Sequence, residues 1–342
     1  MKFFAVLLFW FTLLPALGQQ PHFKVRRLQL PKEVEYYDNQ FSGLSVEAGQ
    51  LYFMSESRLQ DKAEAKLYRV RLADLERQLQ DSSYVPTYQK LPLRHLEVLR
   101  ARMAAAGQSY EGLEAMLIDG PSVYFTVETA TPSTTCYLLK GSLGPKAVTL
   151  DTTVLVPLPK PLAAGGSHIY NAGFEALAAA HKHLYAFFEY NYFPSANYAY
   201  ELDEHRLHST SALWQRPFTK LPFRITDLTP TGTNRFVGIN YFFKGDGGDA
   251  VYRTPAADQV NAALIVDKAD KSSYKNYCRL ITIELKNNRF SWQPLWEFPE
   301  QYRSYNWEGI AAYRGGYFII NDKYTPSKPY QTTLLYLQPL GK

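Results

Sequence analysis

The stretch YEGLEAMLIDGPSVYFTVET, Tyr110 to Thr129, opens on Glu-Gly-Leu, breaks at Gly120-Pro121 and resumes as an apolar, β-branched run reaching a second glutamate. Two strand-forming runs around a Gly-Pro break read as a β-hairpin. Nearly the same pattern recurs as FSGLSVEAGQLYFMSES from Phe41, GFEALAAAHKHLYAFFEY from Gly173, ITDLTPTGTNRFVGINYF from Ile225 and WEGIAAYRGGYFIINDKY from Trp307. A polar residue opens each copy and another closes it. Their separations are 14 (Ser42 to Glu56), 17 (Glu111 to Glu128), 14 (Glu175 to Glu189), 13 (Asp227 to Asn240) and 14 (Glu308 to Asp322) residues. Spacing held this closely marks an internal repeat.

Further strand-like runs follow each hairpin: AKLYRVRL and TYQKLPL, then TCYLLKG and AVTLDTTVLVPL, then YAYELDEH with a weaker fourth, then CRLITIEL and FSWQPLWEF. Four strands per unit make a propeller blade. The last unit holds only TTLLYLQPL beyond its hairpin, while HFKVRRLQLP at 22–31 precedes the first unit without a hairpin of its own. The expectation is therefore an all-β fold, a β-propeller of four-stranded antiparallel blades closed by an N-terminal strand pairing into the C-terminal blade. Five blades are expected, at 41–100, 110–165, 172–223, 225–300 and 306–342 plus 20–32, and a sixth concealed in the 240–275 insertion is the alternative. LADLERQLQDS from Leu72 and HLEVLRARMAAAG from His95 read as short inserted helices.

Composition agrees with one large sheet domain. The 342 residues carry 26 Tyr and 20 Phe, a load that strands favour. The first eighteen, MKFFAVLLFWFTLLPALG, have one Lys, a continuous apolar stretch and small residues before Gln19. They read as a signal peptide at 1–18, cleaved before Gln19, leaving 19–342 as a single propeller domain, soluble, exported to the periplasm or beyond and not a lipoprotein. Loss of Lys2 lowers the formal charge of +5 by one, and no block of like charges remains, so neither nucleic acid nor membrane insertion is indicated; a monomer is expected.

The start of a hairpin's first strand and the end of its second lie at the same end. In a propeller the first strands line the central channel, so Ser42, Glu111, Glu175, Asp227 and Glu308 are expected in a ring at one mouth. Glu56, Glu128, Glu189, Asn240 and Asp322 would lie slightly farther out. The Gly after the ring residue in the first, second and fifth units lets backbones approach the crowded axis. Two carboxylates ~8 Å apart repel by about 2 kcal/mol at an effective dielectric of ~20. A bound cation, raised pKa values or inserted Arg and Lys would relieve this. Oxygen-only donors suit Ca²⁺, with Glu111, Glu175, Asp227 and Glu308 as its ligands, and Arg58, Arg224 and Lys323 are candidate counter-charges or substrate contacts. The plainer alternative is that these polar residues cap strand ends.

Other chemistry has thinner support. No G-x-S-x-G elbow is present, and Ser42 and Ser167-His168 are isolated. His181 and His183 have the alternation of two metal ligands on one strand face but fall in a hairpin turn, where solvated His is commoner; the Gly-rich KGDGGDAVYR, with Asp246 and Asp249, could hold Ca²⁺ or cover the channel mouth, a mobile surface loop being the plainer reading. Cys136 and Cys278 sit in blades that are not neighbours, so both are expected as buried free thiols.

The ordered series SGL…LYFMSE, EGLE…YFTVE, NAGFEALA…LYAFFE, ITDL and NWEGIA…FIIND resembles the esterase-like activity of phytase family of exported bacterial β-propellers, from about Phe41 to the C-terminus. The resemblance implies ester or phosphoester hydrolysis on a small-molecule ligand. The chain departs from the pattern at Glu175-Ala176-Leu177, where members tend to have Glu-Gly-Leu, and at Asn240-Tyr241, where they often carry Glu-Arg. Two functions follow. One is a calcium-assisted ester or phosphoester hydrolase with Glu111, Glu308 and Asp322 as catalytic residues. The alternative is a non-catalytic exported binding propeller that grips a ligand or protein with Tyr190, Tyr192, Phe193, Tyr241, Tyr305 and Trp307 on its rim.

Overall fold

The computed structural model describes residues 23–36, 39–55, 65–163, 165–208, 212–255, 257–322 and 332–340. The leader at 1–18, Glu56, Arg58 and Lys323 lie outside the described residues. The chain enters through β1 (Phe23–Leu28) and the short helix α1 (Lys32–Glu35). The first blade is β2 (Phe41–Glu47), β3 (Gln50–Ser55), β4 (Lys66–Arg71) and β5 (Tyr88–Arg94), with α2 (Leu72–Gln80) inserted. After α3 (Leu96–Ala105) the second blade is β6 (Tyr110–Asp119), β7 (Ser122–Thr129), β8 (Thr135–Leu143) and β9 (Val148–Pro159). The third is β10 (Ala176–Ala180), β11 (His183–Phe187), β12 (Tyr198–Asp203) and β13 (Trp214–Pro217). The fourth is β14 (Arg224–Gly232), β15 (Arg235–Phe242), β16 (Tyr277–Lys286) and β17 (Arg289–Glu297), and the insertion before β16 carries α4 (Gln259–Ile265). The fifth is β18 (Trp307–Tyr313), β19 (Gly316–Asn321) and β20 (Leu334–Pro339), completed by β1.

The antiparallel pairing of β1 with β20 runs from Phe23↔Pro339 to Leu28↔Leu334, which is the closure expected from the lone N-terminal strand. Both inserted helices form where the sequence placed them. The 240–275 insertion holds a 3-10 turn and α4 instead of a sheet, so among the described residues there is no sixth blade.

Turn chemistry fixes the hairpins. The central pairs Ala48-Gly49, His181-Lys182, Asn287-Asn288 and Arg314-Gly315 all have positive φ, the left-handed backbone that a tight two-residue hairpin demands. His181 therefore occupies an exposed turn, and the ring of His183 faces Glu201 at 3.5 Å from the flank of a blade.

Alternation along the strands buries one face of each blade against each neighbour. Five apolar clusters result, joining blades one to two, two to three, three to four, four to five and five back to one. The inner strands touch in the cyclic order β2, β6, β10, β14, β18 and back to β2. Five interfaces around a closed circle establish five blades. Blades one and two are also stitched at their rims, where β5 and β9 pair in parallel through Leu93↔Val148 and Arg94↔Thr149. Cys136 and Cys278 are buried free thiols.

Candidate active site at the channel mouth

The inner strands carry a common irregularity. A register shift falls between Phe41 and Gly43, between Tyr110 and Gly112, between Ile225 and Asp227, and between Trp307 and Gly309. The residue skipped by the ladder is Ser42, Glu111, Thr226 and Glu308 respectively; a bulge re-aims such a side chain. Thr226 is thus the fourth-blade counterpart of Glu111 and Glu308, while Asp227 occupies the position of the glycines. The fourth hairpin is therefore one residue out of register with the others when it is matched on its acid.

That slip corrects the role given to Asp227. Its carboxylate is buried at the axis, where Oδ1 accepts from Leu228 N at 2.8 Å and Oδ2 from Ile310 N at 2.8 Å and Leu44 N at 3.4 Å. One side chain ties together the inner strands of blades one, four and five. Burial pushes its pKa up against the pull of the three N–H donors. With its lone pairs spent on backbone, Asp227 is a poor donor for a cation. The Thr226 hydroxyl donates to Trp307 O at 2.7 Å in the same way. Gly309 lies equally close: a Cβ there would meet the Ile320 side chain at 2.6 Å and Leu44 at 3.0 Å. Close approach at the axis is what the expected glycines provide.

The carboxyls above this level converge. Glu175 immediately precedes β10 and Glu189 follows β11, so the third-blade hairpin brings the two side by side. Burial raises the pKa of Glu175 well above the ordinary carboxyl range; Glu189, Glu308 and Glu114 add repulsion, and a hydrogen bond from its protonated form to Glu189 holds the proton. Glu175 therefore senses acids from blades two and five across the channel. No hydrogen-bond donor reaches its Oε2, which is sealed from solvent. Glu128 and Glu114 flank the same region, since a Cβ on Gly173 would come within 3.3 Å of Glu128 and 3.5 Å of Glu114.

Glu189 is fully buried and anchored from the other side. The Tyr252 hydroxyl donates to its Oε1, and Arg224, the first residue of β14, sets Nε 3.4 Å from Oε2. The Arg224 guanidinium also bonds Asp249 at 2.5 Å and lies 4.1 Å over the Tyr252 ring. Burial opposes the Arg224 charge, but Glu189, Tyr252 and Glu175 outweigh it and hold the pKa well above its usual value. Asp249 and Tyr252 belong to the 3-10 turn Gly247–Tyr252, so the Gly-rich loop closes over blades three and four at the mouth. Behind it, Asn240 donates to Pro222 O at 2.8 Å and Arg224 O at 2.9 Å and accepts from Arg279 Nε at 2.8 Å.

Of the expected site residues, Glu175 and Glu308 share the channel, Arg224 serves Glu189, and Asp227 is structural. Glu111 lies at the bulge of β6 and Asp322 is half-buried just beyond β19. Among the described residues, no group of three or more His, Cys, Asp or Glu is arranged to hold a metal ion. Of the expected calcium ligands Glu111, Glu175, Asp227 and Glu308, Asp227 is turned to backbone donors and so leaves the set. The rim of aromatic grips is also corrected: Phe193, Tyr241 and Trp307 are buried in the interblade clusters. The loop that could cover the channel carries Tyr252, but neither Tyr252 itself nor Arg279 had a signal of its own, since an insertion and an outer strand deliver them.

No family model and no curated protein matches the chain. Solved structures similar to it include an exo-1,5-α-L-arabinanase from a bovine ruminal metagenomic library, at 8% identity and TM-score 0.45, covering 88% of this chain and 93% of that one. Another is a GH43 β-xylosidase/α-arabinofuranosidase from a compost microbial metagenome, at 7% identity and TM-score 0.47, covering 95% and 96%. A third is the catalytic domain of a GH62 α-L-arabinofuranosidase from Coprinopsis cinerea, at 9% identity and TM-score 0.44, covering 93% and 97%. These are glycoside hydrolases and not phytases, so the resemblance to the esterase-like phytase family is withdrawn, and with it the phytase-like and esterase-like description. The motifs behind it, a bulged polar residue before Gly-Leu, are what a crowded ring of inner strands requires. The propeller itself rests on the strand order and the five interfaces.

Proposed function

We propose that the chain is a hydrolase that cleaves glycosidic bonds at the channel mouth, with Glu175 as proton donor. The observation that carries this reading is the Glu175–Glu189 pair, in which burial and neighbouring acids keep a proton on Glu175 beside an anchored partner. A carboxyl whose pKa is raised by burial and neighbouring acids is suited to general acid catalysis. Glycosidic cleavage needs such an acid for the leaving oxygen and a second carboxylate at the anomeric carbon. Glu308 faces Glu175 from the fifth blade and takes the second role. As the C–O bond breaks, the Glu175 proton passes to the leaving oxygen, and Glu308 takes a proton from the water whose oxygen bonds to the anomeric carbon. Glu189, held by Arg224 and Tyr252, is a positioning residue. Ester cleavage instead builds negative charge on an oxyanion, which a mouth lined with acids disfavours. The same proposal includes export, checked by sequencing the mature N-terminus for Gln19.

The test is turnover of a panel of 4-nitrophenyl glycosides, beginning with α-L-arabinofuranoside and β-D-xyloside, by the wild type, Glu175→Gln and Glu308→Gln. Each variant is expected to lose roughly 10²–10⁴-fold in kcat. Turnover by either variant at the wild-type rate, or none by wild type on any member, would sink the reading.

A further inference from the structure

A recess of about 420 Å³ opens between the 243–276 insertion and the connector from blade four to blade five. Four cationic side chains line it, Lys244, Lys268, Lys275 and Arg303, against two acids, Asp267 and Glu300. Arg303 is engaged: its Nε donates to Phe298 O at 2.8 Å and its Nη2 lies 3.6 Å from Glu297. Among the described residues, none of the three lysine ammoniums makes an ion pair. Three like charges around one concavity repel, and an anion entering it would relieve them.

The recess adjoins the channel. The second strand of the fourth blade ends at Phe242, its third starts at Tyr277 and its fourth ends at Glu297, so the insertion and the connector both lie at the mouth end of that blade. The Arg303 guanidinium lies 5.8 Å from the Tyr277 ring. The next residue, Cys278, is close enough to both Glu308 and Arg303 to be influenced by their charges. A chain-like ligand with a sugar at Glu308 thus has a basic pocket within reach.

We infer that this recess is an anion subsite, and that the ligand of the mouth is an acidic glycan bearing carboxylate or sulfate groups. The inference rests on the glycosidic reading for the identity of the ligand, but the binding it describes is measurable without turnover. Polygalacturonate supplies the carboxylate, dextran sulfate the sulfate ester, and neutral arabinan the control, each followed by affinity electrophoresis of the full chain. The variant Lys244→Glu/Lys268→Glu/Lys275→Glu is compared with Lys146→Glu/Lys182→Glu/Lys286→Glu, whose lysines are exposed on the opposite end of the strands.

At least one acidic polymer is expected to bind, to lose roughly tenfold in affinity in the recess variant but not in the control, and to weaken as salt rises from ~0.05 to ~0.5 M. Which polymer binds identifies the acidic group. Equal binding of arabinan, no binding of either acidic polymer, or equal losses in the two variants would overturn the subsite. Glu175→Gln separates the two claims: it is expected to keep polymer binding while losing turnover, so a failure of hydrolysis leaves the subsite standing and the reverse holds equally.

Discussion

Replacing Asp227 by Ala tests whether this acid is a cross-link or a metal ligand. The substitution strips the acceptor from three buried backbone donors, Leu228 N and Ile310 N at 2.8 Å and Leu44 N at 3.4 Å. Each orphaned buried donor costs about 1–3 kcal/mol, with the longest bond counting least. Relief of the buried carboxyl offsets part of this, which leaves a net loss of roughly 2–5 kcal/mol. At ~2.1 cal/mol/K of unfolding entropy per residue, a chain of this length loses about 1.5 °C per kcal/mol, so Tm should fall by roughly 3–8 °C in a calorimetric scan. Asp227→Asn keeps one acceptor oxygen and should fall between. The pH dependence has a definite sign. Burial raises the folded pKa of Asp227, so its contribution to stability declines as pH rises from the unfolded value toward the folded one. The gap between wild type and Asp227→Asn should therefore be wider at pH 5 than at pH 8. If Asp227→Ala melts with the wild type, or if the difference exists only in added calcium, the cross-link account is wrong.

Further outcomes follow from the same geometry. Glu189→Gln removes a charge that raises the pKa of Glu175, so the alkaline limb of the kcat/KM profile, where Glu175 loses its proton, should move to lower pH. An unmoved limb with intact turnover would separate Glu175 from the proton transfer. Gly309→Ala drives a Cβ to 2.6 Å from Ile320 at the junction of blades five and one, and urea titration should show a loss of about 1–3 kcal/mol. Burial pushes the Cys136 thiol up to about 12 and Cys278 well above its usual range. Neither should react with Ellman's reagent in the native protein, and both should react in denaturant. Glu33 accepts from Lys90, Tyr88 and Tyr68, which hold its pKa at about 2. Glu33→Gln should cost at most about 1 kcal/mol at pH 7 given its exposure, and the difference should vanish as pH falls from ~4.5 toward ~2.

The architecture was legible because propeller blades write their periodicity into local sequence. Each hairpin carries its own turn pair and alternating apolar face, so Ala48-Gly49 and Arg314-Gly315 mark their positions without reference to the rest of the chain. The outer strands, the orphan N-terminal strand and both inserted helices could be read in the same way. The site was only half legible. Glu175, Glu189 and Glu308 announce themselves as repeated acids, but the bulge that puts Thr226 at the skipped position in place of Asp227 is a register event, and an alignment on acid identity follows chemistry instead of backbone. Tyr252 reaches Glu189 from an insertion 63 residues away, and no local pattern encodes that contact. The phytase-family resemblance failed for a related cause: it matched the residues that build a ring of inner strands, which are common to propellers whatever they bind.

The seal between β1 and β20 has a consequence for biosynthesis. Phe23 finds its partner only in Pro339, so β1 leaves the ribosome long before the strand it pairs with. At ~5–20 residues per second of translation, that wait is on the order of tens of seconds, and loop closure over such a separation is slow in its own right. Until then the fifth blade is a half-built sheet with Tyr317 through Ile320 and the edge of β20 open to stray pairing. A nascent chain of this protein is thus most exposed to chaperones and to aggregation until β20 has been made, and a short deletion within β1 or β20 should harm its yield more than a longer one in α2 or α3.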